Sequence, residues 1–434
     1  MFKIQKTAFV FFTSLLLLAV SAAGGNSPVA AKPSPERCIV YTESPGASEQ
    51  VKAEVGKKGG AVLKPLASKR QSGLVVQIEE GGKTSIKALP GVRAVEPDVG
   101  VSAVPAKALR DLSGKTRSGE ELPWGIRLIG AAGVWDRDGN LAVDPGANAG
   151  QGVKVAIVDS GIEKKHEDLE DNLAGGINFA VGSPDNSNPQ WKDFLGHGTL
   201  VAGICSAVDN NTGVIGAAPR ASLYSVRVLD KSGSGYLSDL IEGIYWCADN
   251  GMNIANLSLG IDKEILEQNP YGLSALEEAV DYACANGVLL VAAAGNLRPD
   301  QEPSNPPEDN VDYPARFKSV LAVAAINPDG TWWPYSKTGP AVAIAAPGVE
   351  ILSTFLKDGY LAEWGTSLAA PHVTAAAALL YASGRVQDTN NKCGIADEVR
   401  EILCATAAGG SENDPRLGHG VVNALEAVKA VLNR

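Results

Sequence analysis

The hydrophobic pattern of residues 124–434 alternates between short apolar runs and longer segments of helical character. The runs that we predict as strands are 153–158, 223–229, 254–259, 288–294 and 320–326. The segments that we predict as helices are 197–207, 237–250, 273–286 and 367–383. The runs 288–294 and 320–326 are apolar at every position, as expected for strands that are covered on both faces. This alternation predicts an α/β fold, with a mostly parallel sheet and helices on both of its faces.

Residues 38–103 follow a different pattern, which predicts a small α+β domain with an antiparallel sheet. The predicted strands are 38–41, 74–78 and 92–101, and the predicted helices are 50–57 and one that begins at 85. Residues 24–37, rich in Gly, Pro and Ser, are predicted as a linker. Residues 104–123 are polar and lack an apolar period, which predicts a second linker and a place where proteases cut.

The first residues are typical of an export signal. Lys3 and Lys6 precede a nearly unbroken apolar run from Thr7 to Val20, and small residues occupy 21–23. The run is shorter than the roughly 20 residues that a membrane span needs. We therefore predict a signal peptide over residues 1–23 and a secreted, extracellular protein, with an uncleaved membrane anchor as the alternative.

Charge and cysteine content narrow the class of protein. The chain has 49 acidic and 38 basic residues, a balance that argues against nucleic-acid binding, which requires a basic surface. There is no C-x-x-C pair of the kind that binds zinc or does redox chemistry. Cys205, Cys247 and Cys284 lie in apolar helical stretches and are predicted as buried thiols, whereas Cys393 and Cys404 are candidates for a disulfide, which export would permit.

Three polar residues stand at the ends of predicted elements, where α/β enzymes place their chemistry. Asp159 follows the strand 153–158, His197 opens a helix between two glycines, and Ser367 opens another helix. Each alone has an ordinary explanation as a turn or cap residue. Together they supply a nucleophile, a base to take its proton and a carboxylate to orient the base. We interpret them as a catalytic triad.

Asn296 is the fourth candidate for this site. It follows an apolar strand and Gly295, and its amide could donate to the oxyanion of a tetrahedral intermediate beside the backbone N–H of Ser367. The alternative is an Asn that only forms a turn.

The motifs match a known family. The segments 155–169, 196–203, 257–260, 292–296 and 365–372 resemble, in order and residues, those of the subtilisin (subtilase) family, and the resemblance extends from about Pro123 to the end. It implies a serine endopeptidase that hydrolyses proteins through an acyl-enzyme on Ser367, with His197 as general base and acid and Asp159 orienting it. An inactive homologue that only binds peptides and an esterase are the alternatives. The complete set of catalytic residues disfavours the first, and the Asp-His-Ser order disfavours the second.

The resemblance also implies a zymogen. Residues 38–103, with the VEPD segment at 95–98, resemble an inhibitory prodomain that is removed by self-cleavage within 104–123. The implied partners are protein substrates and the chain's own prodomain, for a protein that is monomeric and free of membrane once the signal is removed.

The family pattern places the substrate as an added strand. Leu257, Ser258, Leu259 and Gly260 would pair with the substrate backbone, and Gly233, Ser234 and Gly235 would line the other side of the cleft. Leu297 would lie near the primary specificity pocket and favour large apolar side chains. The acidic segment 300–312 would instead favour basic ones, and the sequence leaves both alternatives open.

A structural calcium site is implied as well. Val208, Asn210, Thr212 and Val214 would bind Ca²⁺ through carbonyl and amide oxygens, with Asp168 as the distant carboxylate. The alternative is a plain Asn/Gly turn, and the sequence does not identify a ligand near the start of the catalytic domain.

Two positions depart from the family pattern. Leu200 stands where many members have a second His, and Leu368 stands where many have Met. Because Met beside the nucleophile oxidises readily, we expect the chain to resist peroxide better than its Leu368→Met variant.

Overall fold

The computed structural model describes residues 35–66, 72–103, 110–111, 119–180, 190–298, 300–390 and 392–433. The predicted signal peptide, most of the linker 24–37 and most of the linker 104–123 lie outside these ranges. Across the described ranges, no helix combines the length and the apolar character needed to cross a membrane.

An antiparallel sheet with two helices forms the N-terminal region, residues 36–103. Its strands are β1 (Glu36–Thr42), β2 (Ala61–Pro65), β3 (Ser72–Ile78) and β4 (Val92–Pro97), in the order β2-β3-β1-β4, and its helices are α1 (Pro45–Lys57) and α2 (Glu80–Lys87). This confirms the predicted α+β unit, although β1 begins inside the predicted linker and β2 was not predicted. The predicted strand 92–101 is interrupted at Pro97, because proline cannot donate to a ladder, and β5 (Gly100–Ala103) belongs to a different sheet.

The two faces of this sheet are covered by different parts of the chain. Cys38 and Val40 of β1 pack with Val51 of α1 and Ile86 of α2. Ile39 and Tyr41, which point to the opposite face, belong to a hydrophobic cluster that extends into the larger part of the chain. Both faces of β1 are therefore buried.

A nine-stranded sheet forms the centre of residues 119–433. Its strands are β7 (Lys154–Asp159), β8 (Leu173–Asn178), β9 (Ser222–Arg227), β11 (Ile254–Leu257), β13 (Leu289–Ala293), β14 (Val320–Ile326), β15 (Val342–Pro347), β18 (Ala408–Asp414) and β19 (Gly418–Val421). They stand in the order β18-β19-β15-β14-β13-β11-β7-β9-β8. All neighbours are parallel except β18 and β19, which confirms the predicted sheet.

Helices cover this sheet on both faces, as predicted. They are α3 (Trp124–Leu128), α4 (Ala132–Trp135), α5 (His197–Ser206), α6 (Leu237–Asp249), α7 (Lys263–Glu267), α8 (Pro270–Ala285), α9 (Thr366–Ala382), α10 (Ala396–Ala405) and α11 (Ala424–Leu432). Val155 and Ile157 of β7 pack in the cluster that contains α5, α9 and α11. Ala156 and Val158 point the other way, into the cluster that contains α6 and α8.

The predicted linker 104–123 is structured in part. Arg110–Asp111 forms a short strand, β6, which pairs with β17 (Gly359–Glu363), and β17 pairs in turn with β16 (Ile351–Phe355). Glu121 joins the body of the chain, because its N–H donates to the Gly213 carbonyl and its carbonyl accepts from Ile215.

The cysteine pairing differs from the prediction. Cys284 forms a disulfide with Cys393, their Cα atoms 4.8 Å apart, so the predicted Cys393–Cys404 pair is wrong and Cys284 is not a free thiol. The cause is tertiary, since α8 brings Cys284 to Cys393 across 109 residues of sequence. Cys205 and Cys247 are buried free thiols, as predicted.

Candidate active site

The candidate base and its orienting carboxylate are in direct contact. Asp159 is the last residue of β7 and is fully buried, and His197 is the first residue of α5. His197 Nδ1 lies 2.8 Å from Asp159 Oδ1 and 3.0 Å from Oδ2. A side chain at Gly198 would collide with the Gly161 carbonyl, which explains why glycine follows this histidine.

Ser367 is brought to the same place by the packing of two helices. Leu200, one turn into α5, and Leu368, beside Ser367 in α9, share a small buried cluster with Leu361 of β17. The Ser367 carbonyl accepts a 2.7 Å hydrogen bond from Ser258 Oγ. Among the described residues His197 Nε2 makes no hydrogen bond, so a bond to Ser367 Oγ is not formed. Such catalytic hydrogen bonds are often long until substrate binds.

The electrostatics of His197 suit a general base. Burial of the imidazole disfavours its charged form, but the nearby carboxylates, above all Asp159 through its charge and its hydrogen bond, together raise the pKa of His197. Asp193 and Glu363 add to this rise. Burial raises the pKa of Glu363 itself to about 7. The sequence pattern does not indicate that carboxyl groups other than Asp159 act on the histidine.

Asn296 is held next to the nucleophile. Its Oδ1 accepts from the N–H of Thr366 at 3.0 Å and from Thr366 Oγ1 at 2.9 Å, and Thr366 directly precedes Ser367. With its oxygen fixed in this way, the rest of the amide is an NH₂ group, which is a donor. An amide held in this way is able to donate to an oxyanion that forms on a substrate at Ser367.

The cleft already contains a strand of the chain itself. Strand β5 lies between β10 (Ser234–Tyr236) and β12 (Leu259–Gly260), antiparallel to both. Ser102 is opposite Ser234 on one side and Gly260 on the other, and the Ala103 N–H donates to the Gly233 carbonyl at 2.8 Å.

The predicted substrate residues therefore surround β5. Gly235 pairs with Val101, and Leu259 pairs with Ala103. Leu257 ends β11 in the large sheet and does not pair with β5, and Ser258 instead bonds to Ser367. The N-terminal region thus lies where an added substrate strand was predicted.

The predicted calcium residues form one loop cluster around Asp168. Its Oδ1 accepts from Asn210 Nδ2 at 3.1 Å, its Oδ2 accepts from the Val214 N–H at 2.9 Å, and its carbonyl accepts from the Val208 N–H at 2.8 Å. The N–H and the hydroxyl of Thr212 donate to Asn210 Oδ1.

Glu120 completes this cluster and was not identified from the sequence. Its Oε1 accepts from the Asn210 N–H at 3.0 Å. Burial and the nearby Asp209 and Asp168 carboxylates raise the pKa of Glu120 to about 7, and burial raises the pKa of Asp168. Within the described ranges, no Lys or Arg forms an ion pair with either carboxylate. A divalent cation fits such an uncompensated set of oxygen atoms.

An ion pair that the sequence did not reveal lies beside the cleft. A side chain at Gly260 or at Gly295 would contact the carboxylate of Asp312, which therefore lies between β12 and the segment that follows β13. Lys337 Nζ is 2.7 Å from Asp312 Oδ1. The adjoining cavity, of about 260 Å³, is lined by Leu297 and Lys337 together with further polar side chains: Asp262, Lys263, Glu264, Gln301, Glu302, Ser304, Glu308 and Asn310.

Comparisons with known proteins agree with this geometry. The family model described as "Subtilase family" matches residues 150–420. Subtilisin E of Bacillus subtilis (strain 168) is 35% identical over 375 residues, which cover 86% of this chain and 87% of that protein. Subtilisin DY of Bacillus licheniformis is 37% identical over 310 residues, 71% of this chain and 100% of that protein. An alkaline protease of Shouchella clausii is 33% identical over 419 residues, 96% of this chain and 97% of that protein.

These matches extend over most of the chain and of the relatives, and they agree with an α/β sheet that carries an Asp–His pair, with a buried serine on a helix that packs against α5. The chain belongs to the subtilase family and is a serine-type endopeptidase.

Proposed function

We propose that Asp159, His197 and Ser367 carry out the hydrolysis. His197 Nε2 takes the proton of Ser367 as its Oγ attacks the peptide carbonyl, and later gives a proton to the leaving amine. The acyl-enzyme on Ser367 is then hydrolysed by a water molecule that His197 deprotonates in the same way. Asp159, bound to Nδ1, keeps the imidazole in the tautomer that leaves Nε2 as the acceptor.

The oxyanion of each tetrahedral intermediate is stabilised by the NH₂ group of Asn296 and the backbone N–H of Ser367. The Asn296 side chain cannot easily turn away, because its oxygen accepts two hydrogen bonds from Thr366. The start of α9 adds the positive end of a helix dipole at the same point.

Residues 38–103 act as an inhibitory prodomain in this proposal. Their last strand, β5, takes the place of a substrate strand between β10 and β12, and so blocks the cleft. Self-cleavage within 104–123 would then leave a bound, product-like inhibitor. With the signal peptide over residues 1–23, the chain would be a secreted proenzyme that becomes active outside the cell.

A structural Ca²⁺ ion fits the cluster around Asp168. Asp168, Glu120 and the Asn210 amide would hold it, with carbonyl oxygens of Val208, Thr212 and Val214. The ion would neutralise the buried carboxylate of Asp168 and the partly buried carboxylate of Glu120, which otherwise repel each other. It would fix the segment that begins at Glu120 to the loop after α5, and its role is stability rather than chemistry.

The contact between His197 Nδ1 and the Asp159 carboxylate is the observation that carries this proposal. The test compares the purified wild-type chain with Ser367→Ala by intact mass and by hydrolysis of casein. We expect the wild-type protein to lose its N-terminal region and to hydrolyse casein, and Ser367→Ala to do neither. Ser274→Ala, an exposed serine of α8, serves as the matched control and should behave as wild type. Casein hydrolysis by Ser367→Ala would contradict the assignment.

A further inference from the structure

Five charged side chains are buried where the N-terminal region meets α6. Lys64 Nζ of β2 lies 2.6 Å from Asp239 Oδ1 and 2.7 Å from Glu242 Oε2. Arg37 Nε of β1 lies 2.7 Å from Asp98 Oδ2, and its NH2 atom is 3.9 Å from Asp239 Oδ1. The side chains of these five residues are between 0% and 12% exposed. We call this group the interface cluster.

The charges of the interface cluster do not balance. Two cations, Arg37 and Lys64, face three carboxylates, which leaves a net charge of −1 if every acid is ionised. An uncompensated charge in a buried site is costly, and a carboxylate commonly relieves the cost by taking up a proton. One of the three acids is therefore expected to be protonated while the two parts are in contact.

The hydrogen bonds indicate which acid it is. Asp98 accepts from the Ser238 N–H at 2.9 Å and from Ser238 Oγ at 2.8 Å, at the start of α6, in addition to the bond from Arg37, so its negative charge is well stabilised. Asp239 Oδ2, by contrast, is buried and makes no hydrogen bond within the described ranges. A proton on Asp239 would leave Lys64 and Glu242 as a balanced pair.

The surrounding groups agree with this location of the proton. Burial raises the pKa of Asp239 to about 7, and the charge of Asp98 adds to the rise, against the opposing effect of Lys64. The other ionisable groups near the cluster are three tyrosines and, on β4, Glu96 and Arg93, whose charges act on Tyr41 in opposite directions. Tyr41 of β1 has a pKa raised by burial and so stays neutral, Tyr236 lies under the Arg37 guanidinium, and Tyr245 is on α6. All four histidines are at position 166 or later, so no histidine of the N-terminal region can act as the sensor.

We propose that the interface cluster holds one extra proton while the prodomain is bound, so that the prodomain binds most tightly in acid and is released as the pH rises to neutrality. The inference rests on the proposed role of residues 38–103 as an inhibitor. Once the parts separate, water reaches Asp239, whose pKa returns to the ordinary value for aspartate, about 4.

The direction of the effect follows from linkage. The pKa of Asp239 is higher in the complex than in the separated parts, so the complex binds more protons between about pH 4 and 7. Association is therefore strongest below this range, weakens by up to about tenfold for each pH unit within it, and changes no further above it.

The experiment uses the full chain after self-cleavage. The processed complex is held at pH values from 5 to 8, and samples are taken over time into one fixed assay at pH 8, so that the assay itself does not vary with the titration of His197. We expect the rate at which peptidase activity appears to rise steeply between pH 5 and 7 and then to level off.

Asp239→Asn is the decisive variant, because an amide has the shape and the charge of the protonated acid. We expect it to release the prodomain slowly and with no dependence on pH between 5 and 7. Lys64→Met should release it faster than wild type at every pH, since two carboxylates then lack their cation. Asp249→Asn, an exposed acid at the other end of α6, is the matched control and should keep the wild-type profile.

The outcomes separate this inference from the proposed function. A wild-type-like slope in Asp239→Asn, or a flat wild-type profile, would overturn the inference and leave the peptidase and its prodomain in place. A chain that never self-cleaves would contradict the proposed zymogen and this inference together. Should Asp239→Asn fail to fold, Glu242→Gln removes the same excess charge and should also flatten the profile.

Discussion

The candidate active site and the interface between the N-terminal region and α6 are stabilised in different ways. Asp159, His197 and Asn296 are fixed by buried elements and by hydrogen bonds to the backbone or to each other. The interface cluster instead joins two regions through charges that do not cancel. Fixed, hydrogen-bonded side chains suit a site that must be preorganised. Unbalanced charges suit the proposed prodomain, which has to dissociate. Changes in one region should therefore leave the function of the other intact.

The largest expected effect is the loss of turnover when the proposed oxyanion donor, Asn296, is removed. Asn296→Ala removes one fixed donor and should lower kcat by about 10² to 10³, with little change in KM, a magnitude known for subtilisin itself. The measurement is steady-state hydrolysis of a peptide anilide by the processed enzyme. Asn286→Ala, at the exposed end of α8, is the control and should keep full turnover. A kcat of the Asn296→Ala variant within threefold of wild type would contradict the proposed role of Asn296 as an oxyanion donor.

Removal of the proposed Ca²⁺ should weaken the fold and not the chemistry. A chelator should lower the free energy of unfolding by about 3 kcal/mol when the ion had been present at a hundred times its Kd. The readout is thermal unfolding of full-length Ser367→Ala with and without chelator. When Asp168→Asn is added to Ser367→Ala, the chelator should have little further effect on the melting temperature. A melting temperature of Ser367→Ala that does not change with chelator would contradict the proposed Ca²⁺ site.

The charged pocket beside the cleft should influence which substrates are cut. Carboxylates outnumber the cations that line it, so we expect a basic side chain immediately before the cleaved bond to be favoured over an acidic one. Because Lys337 competes for Asp312, Lys337→Met should raise this preference by about tenfold, corresponding to about 1.4 kcal/mol. The preference is measured as the ratio of kcat/KM for two peptides, one with lysine and one with glutamate immediately before the cleaved bond. A ratio that is lower in Lys337→Met than in wild type would contradict the proposed role of this pocket.

The smallest effect is expected from Glu363. Its charge helps to raise the pKa of His197, so Glu363→Gln should shift the acidic limb of the kcat/KM profile to lower pH, by less than the effect of losing Asp159. Activity is lost as the pH falls through the pKa of the base, so the variant should keep more activity in mild acid. A limb that moves to higher pH would contradict this contribution.

Features that depend on short, contiguous sequence motifs could be predicted from the sequence. Asp159, His197 and Ser367 stand at element ends that hydrophobic periodicity predicts, and their family motifs are short and contiguous. The central strands were predicted for the same reason, because fully apolar runs such as Val320–Ile326 have few other uses in a soluble fold.

Features that depend on distant pairing could not be predicted. The Cys284–Cys393 disulfide spans 109 residues, and Glu120 reaches the proposed calcium loop from a polar segment with no pattern of its own. Likewise, Lys64 and Asp239 are each an ordinary charged residue in sequence. Their ion pair becomes evident only in the structure, where β2 packs near α6.

The most direct test of the triad is chemical labelling of its nucleophile. A sulfonyl fluoride reacts with a serine only when an adjacent base activates it. Peptide mapping of the labelled, processed enzyme should find the sulfonyl group on Ser367. The His197→Ala variant is not expected to cleave itself, so it is prepared with its N-terminal region as a separate chain. This protein should remain unlabelled. A label on another serine, or full labelling of Ser367 without His197, would contradict the account.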